Sequence, residues 1–273
     1  MKRIIASLAV CMALCAAAAA KDYNPTPSPD GSMLAFTRDN DLWVRSVADS
    51  VETRLTFDGS PLILNGYASW VYYEEILGRA SNYRAFWWSP DSRKIGFYRF
   101  DNSQVPMFPI FSPFGQNGSL SQTRYPKAGQ TNPQVRIGIV NLQDGKTVWA
   151  DFDVDEDQYF GTPFWGADSR EIYISREPRR QNVLDLYAVS VADGSRREVY
   201  HEEYPTWVEW IDGMIFTGKG LYMARAFETG WQQIYFLSYD GTLKRLTDGE
   251  NWDISLLRAD EKKGDLWFTA KRD

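Results

Sequence analysis

Cysteine is nearly absent from this chain of 273 residues: Cys11 and Cys15 are the two it has, both inside an apolar, alanine-rich run near the start. The rest of the sequence therefore offers no disulfide framework and no thiolate metal site. Histidine is scarcer still. His201 stands alone between Tyr200 and Glu202 on an expected strand end, and it reads as a surface residue rather than a general base. No Gly-x-Ser-x-Gly stretch occurs, so the elbow that presents a hydrolase serine is not in this sequence. Beyond the opening run, no segment is apolar enough to span a membrane. Positive charge is in deficit, with 30 Lys and Arg against 36 Asp and Glu for a net of −6. Phosphate backbones need a basic surface, so nucleic acid is not expected as a partner.

What is present begins with Met1-Lys2-Arg3, an apolar run from Ile4 to Ala20, and then Lys21-Asp22. A basic start, a short apolar stretch and small residues before the break predict a secretory signal peptide over 1–20, cleaved after Ala20. Its removal takes away Lys2 and Arg3 and no acids, leaving 28 basic against 36 acidic residues, a net of −8. A secreted, disulfide-free, acid-rich chain suits a bacterial periplasm or cell surface. Residues 21–273, from a chain with 15% aromatics, can bury one large β core.

From Lys21 onward the pattern alternates turn and strand. Ser28-Pro29-Asp30-Gly31 leads into Met33–Thr37, then Asp39-Asn40 into Leu42–Val47, with a further strand at Glu52–Thr56. The unit recurs as Trp88-Ser89-Pro90-Asp91-Ser92 before Lys94–Tyr98, and as Trp165-Gly166-Ala167-Asp168-Ser169 before Glu171–Ile174. Another copy holds Gly220–Ala224, Gln233–Leu237, Asp240-Gly241 and Leu243–Thr247. Four short strands per repeat, closed by Asp-containing turns, predict an all-β fold, specifically a β-propeller. Asp265–Ala270 reads as the second strand of a fifth, half-built blade, so the propeller is expected to be incomplete, with about five blades. The sequence accordingly reads as the N-terminal part of something longer. Two insertions interrupt the repeat; one, Pro106–Pro133, is rich in Pro, Gly, Ser and Gln and reads as a loop or extended arm.

The other insertion, Asn65–Tyr83, reads as a short helix, with Ser69 as N-cap and Gly78 just past the end. It carries Glu74 and Glu75 among Trp70, Val71, Tyr72, Tyr73, Ile76 and Leu77. Spacing alone makes the pair a solvated face, but aromatic neighbours imply partial burial, and buried acids need partners. Adjacent helical side chains diverge by roughly 100°, so the pair can flank a compact cation at a rim. A primary ammonium with three donors suits it, and Trp70 and Tyr73 are the residues expected to line such a pocket. Two further groups are weighed. Asp151, Asp153, Asp155, Glu156 and Asp157 lack the ordered spacing of a calcium loop and read as a solvated turn. Trp207, Trp210 and Trp231 could line a funnel, but propeller cores consume tryptophan, and they are expected inside. No metal or cofactor is expected.

The run Asn65-Gly66-Tyr67-Ala68-Ser69-Trp70-Val71-Tyr72-Tyr73-Glu74-Glu75 resembles the double-glutamate helix of the dipeptidyl peptidase IV family. Trp87-Trp88-Ser89-Pro90-Asp91, Val105-Pro106, Tyr125-Pro126-Lys127-Ala128-Gly129 and Asn132-Pro133 follow in the family's order. The resemblance implies a serine exopeptidase of the prolyl oligopeptidase group: an N-terminal propeller followed by an α/β-hydrolase domain that lies beyond this sequence. It also implies that Glu74 and Glu75 grip the substrate's free α-ammonium and restrict release to dipeptides, with Pro or Ala second. Peptides with a free N-terminus, the hydrolase domain and a second copy of the full-length protein are then the expected partners. This chain alone is expected to be inactive. The family's carbonyl-holding arginine, upstream of the first Ser-Pro-Asp unit, has no counterpart here. Two other readings are a stand-alone periplasmic propeller that binds peptides without cleaving them, and a propeller glycosidase. The latter fits poorly, because adjacent glutamates do not flank a glycosidic bond from opposite faces.

Overall fold

The computed structural model describes residues 20–272, so the expected signal peptide lies, apart from Ala20, outside the described residues. Four antiparallel meanders follow one another along the chain. The first runs Tyr23–Pro27, Met33–Arg38, Asp41–Ser46, Glu52–Arg54 in simple spatial order. In the second, Ile63–Asn65 and Phe86–Trp88 both pair with Lys94–Asp101, which pairs on to Gln134–Asn141 and Thr147–Trp149. The third repeats the device, with Gln158–Phe160 and Phe164–Trp165 both on Glu171–Pro178, followed by Val183–Ser190 and Arg196–Glu203. Met214–Phe216, Gly220–Arg225, Gln233–Ser238 and Leu243–Arg245 make the fourth. A hairpin of Asn251–Asp260 and Asp265–Arg272 comes last. These are the blades and the half-blade that the repeats predict: an all-β chain with propeller-type sheets.

The cores lie between consecutive sheets. Leu42, Val44, Phe86, Ile95 and Phe97 fill the space between the first and second. Tyr98, Phe100, Ile137, Phe160, Ile172 and Ile174 form the next layer, and Tyr173, Leu186, Leu221, Met223 and Tyr235 the one after. Each middle sheet is thus covered on both faces, which is why its long strands Lys94–Asp101 and Glu171–Pro178 have no exposed residue, even where the side chain is polar.

The recurring turn is a latch as well as a reversal. Within the first, Ser28 Oγ donates to Asp30 Oδ1 at 2.6 Å, and Met33 N donates to Ser28 Oγ at 3.0 Å. Ser89 and Asp91 repeat this arrangement. The turns also join neighbouring sheets, because Asp30 N donates to Ser92 Oγ and Asp91 N to Ser169 Oγ, both at 3.1 Å. The tryptophans beside these turns do the same: Trp88 Nε1 donates to the Thr26 carbonyl and Trp165 Nε1 to that of Trp87. The sequence motif therefore sets blade-to-blade spacing, not only hairpin closure.

The Pro106–Pro133 insertion is more ordered than a loop. Met107–Ser112 and Ser119–Arg124 pair along their whole length as a projecting hairpin. Met107, Phe111, Phe114 and Leu120 are exposed on it.

Candidate functional site

The Glu74–Glu75 segment breaks the first strand of the second sheet, and the strand halves on either side hold its stem. Gly66 N donates to the Tyr98 carbonyl, Ala85 N to that of Gly66, and Ala68 N to that of Tyr83. The chain then turns as a helix from Trp70 to Ile76. Its first bond is α-type, Tyr73 N to the Ser69 carbonyl at 3.0 Å, and its last is one residue wider, Leu77 N to the Tyr72 carbonyl at 2.7 Å. Residues Tyr72–Ile76 therefore form a π-helical turn, a geometry that concentrates at functional sites. Gly78 ends it at φ +74°, a backbone setting that residues with a Cβ rarely adopt. Ser69 departs from its expected role. Its carbonyl accepts the first helical bond, but its buried hydroxyl has no partner among the described residues and caps nothing.

Tyr72 anchors the segment. It is fully buried among Tyr98, Phe100 and Tyr159, and its phenol oxygen accepts from Phe160 N at 3.1 Å in the third sheet. The two acids are thereby tied to two blades at once.

Glu74 is held by three groups. Trp70 Nε1 donates to its Oε1 at 2.8 Å, and Arg79 Nε and Nη2 reach its Oε2 at 2.7 Å. The indole N–H, with Arg79 behind it, holds this carboxyl below the usual carboxylate range. Arg79 is mostly exposed, so the pairing is open to exchange with a solvent-borne cation. Glu75 is exposed and takes one bond, from the Tyr125 hydroxyl at 3.2 Å. Burial, then the charge of Glu75, pushes the Tyr125 phenol up, so it remains a donor at neutral pH.

The structure thus brings Glu74, Glu75 and Trp70 together. Trp70 meets Tyr125 edge-to-face with ring centroids 5.7 Å apart. Tyr73 does something else: it stacks on Tyr83 at 3.8 Å, which in turn stacks on Tyr67. Sequence reasoning missed Arg79 and Tyr125 as partners of the acids. Tyr125 stands fifty residues from Glu75; its motif is legible, but the contact depends on how the projecting hairpin returns.

The acidic stretch after Ala150 forms no common centre. Glu156 pairs with Arg176 at 2.7 Å, Asp157 with Arg179 at 3.0 Å, and Asp155 accepts from Gln134. Its carboxylates face separate partners, as a solvated turn should. Two tryptophans expected in the core are instead exposed, Trp207 at 49% and Trp231 at 37%. They sit on irregular backbone, where no strand period dictates which side faces in.

His201 lies opposite Asp185 on the neighbouring strand, with Nδ1 2.7 Å from Asp185 Oδ1. Asp185 raises its pKa, and Glu198 and Glu203 add to the effect. A raised folded value means stability that is complete below the unfolded pKa near 6.5 and lost as pH rises through the folded one. Asp185→Asn should bring the imidazole back toward its ordinary value. Since His201 is the sole histidine, one imidazole NMR titration reads the change, and an unmoved midpoint would show that Asp185 does not set it.

The model of the dipeptidyl peptidase IV (DPP IV) N-terminal region matches residues 10–273. A probable dipeptidyl peptidase 4 of Emericella nidulans is 31% identical over 268 residues, covering 89% of this chain and 34% of the relative. A probable dipeptidyl-aminopeptidase B of Grosmannia clavigera is 34% identical over 198 residues, 63% of this chain and 20% of that protein. Among solved structures, Porphyromonas gingivalis dipeptidyl peptidase 4 superposes with a TM-score of 0.79 at 28% identity, over 91% of this chain and 35% of that one. A putative dipeptidyl aminopeptidase IV from Bacteroides ovatus, at 23% identity and a TM-score of 0.75, shares the fold. The chain spans about a third of the length of the Emericella and Porphyromonas proteins. With the double-glutamate turn seated in the second of its propeller-type sheets, the chain belongs to the dipeptidyl peptidase IV family, to whose N-terminal region it corresponds.

Proposed function

We propose that this chain is the substrate-recognition propeller of a secreted dipeptidyl peptidase IV-like serine exopeptidase. In this reading Glu74 and Glu75 hold the substrate's free α-ammonium, and Trp70 and Tyr125 fix the two carboxylates. The observation that carries it is the pair of acids on one helical turn, one of them ion-paired to an exposed arginine. An arriving ammonium, mostly protonated below a pKa of roughly 7.7–8.0, would displace Arg79 and donate hydrogen bonds to both carboxylates. The helix would block the cleft beyond the amino group, leaving room for two residues before the scissile bond. Acyl transfer itself would belong to a serine triad on a C-terminal hydrolase domain of the full-length protein.

The test is Glu74→Gln with Glu75→Gln in the full-length protein, assayed on a Xaa-Pro chromogenic dipeptide. Two charge-assisted hydrogen bonds at roughly 1.5–3 kcal/mol each predict a fall in kcat/KM of about 10² to 10⁴. Unchanged kcat/KM in the double variant would remove the anchoring role.

A further inference from the structure

A second recess lies between the third sheet, the fourth sheet and the last hairpin, with a volume of about 550 Å³. One wall is residues 204–213, which have no regular structure yet are held closely. Tyr204 N donates to the Asn182 carbonyl and Val208 N to that of Gln181. From below, Arg225 Nη2 donates to the Glu209 carbonyl at 2.8 Å and Nη1 to the Trp210 carbonyl at 3.1 Å. Trp210 lies against Gly161, where an added Cβ would come within 2.7 Å of the indole ring. The recess is therefore shaped by buried contacts rather than left by a loose loop.

Its charge is one-sided. Arg225 is 5% exposed and spends its charge on Glu202, with Nε 2.6 Å from Oε2. Glu209 and Asp212 also line the recess, and among the described residues their carboxylates have neither an ion pair nor a hydrogen bond. Beside them are the exposed Trp207 and the half-buried Trp210. Two exposed carboxylates sharing one recess with two indoles suit one chemistry: a cation carried on an apolar stem, attracted by charge and by the ring quadrupole together.

We propose that this recess binds the guanidinium or ammonium side chain of a peptide, with Glu209 and Asp212 meeting the charge and Trp207 covering the stem. This site stands apart from the Glu74–Glu75 turn and does not depend on its role. It gives the molecule a preference for basic peptides that the α-ammonium grip cannot supply.

The test uses the full-length protein and two blocked ligands, Nα-acetyl-arginine amide and Nα-acetyl-citrulline amide, titrated by calorimetry. They differ in charge and hardly in shape, and neither has a free α-amino group. The arginine derivative should bind about tenfold more tightly, a gap that narrows in high salt. Glu209→Gln with Asp212→Asn should reduce the preference to less than about twofold, and Trp207→Ala should weaken both ligands. Glu74→Gln with Glu75→Gln should leave the preference intact, so failure here and failure of the ammonium grip are separable. Equal binding of the two amides, or loss of the preference in the Glu74/Glu75 variant, would overturn the assignment. Tight spermidine binding without discrimination between the amides would overturn it as well, pointing to a free polyamine.

Discussion

Replacing Glu177 by Gln should make the protein more stable at pH 9 and leave it nearly unchanged at pH 5. Glu177 lies on Glu171–Pro178 and is 0% exposed. Its Oε2 accepts one long bond from Gln181 Nε2 at 3.3 Å, and its Oε1 has no partner among the described residues. Burial pushes its carboxyl up to about 8, with nearby Arg225 opposing and Glu209 adding to the rise. The native state therefore binds a proton that the unfolded chain has already released. Stability is full below the unfolded pKa of about 4.5 and declines as pH climbs toward the folded value near 8. Integrated over that window the loss is about 4–5 kcal/mol, larger than most single substitutions produce. The Gln variant never ionises at this position and should lose this decline, keeping only the one that His201 contributes. Urea midpoints at pH 5, 7 and 9 decide the matter, and parallel profiles for the two proteins would mean that Glu177 does not titrate in this range.

Glu177 also marks where reading the sequence stops. In a two-layer sheet protein its alternation, opposite Ile172 and Ile174, would put it in water. Here both faces of the sheet are covered by neighbouring blades, so a charged residue on the second face is buried. The blades themselves were legible, because Ser-Pro-Asp turns and alternating strands are local signals. What those turns do between blades was not, since the reach from Asp30 N to Ser92 Oγ spans sixty-two residues. The same division holds at the double-glutamate turn. Its position, its aromatic setting and its glycine end follow from nearby residues. The π-widening, the idle Ser69 hydroxyl and the Tyr125 contact follow from the stem and the hairpin, which only the assembled sheets define. Trp207 and Trp231 fail for a related reason: composition assigns tryptophan to the core, but irregular backbone has no period to enforce it.

Arg225→Met should be among the most damaging single changes in the described part of the chain. Arg225 ends the second strand of the fourth sheet, Glu202 lies near the end of the last strand of the third, and both are almost fully buried. Tyr200 also donates to Glu202 Oε2 at 2.7 Å, so the carboxylate is neutralised and solvated entirely by protein. Removing the guanidinium strands that charge and frees the two carbonyls of Glu209 and Trp210. Breaking one side of such a pair costs roughly 3–5 kcal/mol, because an unpaired buried ion remains. Adding Glu202→Gln removes the stranded charge. The double variant should then be less destabilised than Arg225→Met alone, with a residual loss of about 1 kcal/mol for each carbonyl bond not replaced. Additive effects of the two changes would mean that the ion pair is not the coupling between the third and fourth sheets. Because those carbonyls belong to the wall of the recess, the single variant should also shift Trp207 and Trp210 fluorescence, and the double variant should not restore it. Stability follows the buried charge, whereas the shape of the wall follows the two backbone bonds, and the pair of variants separates them.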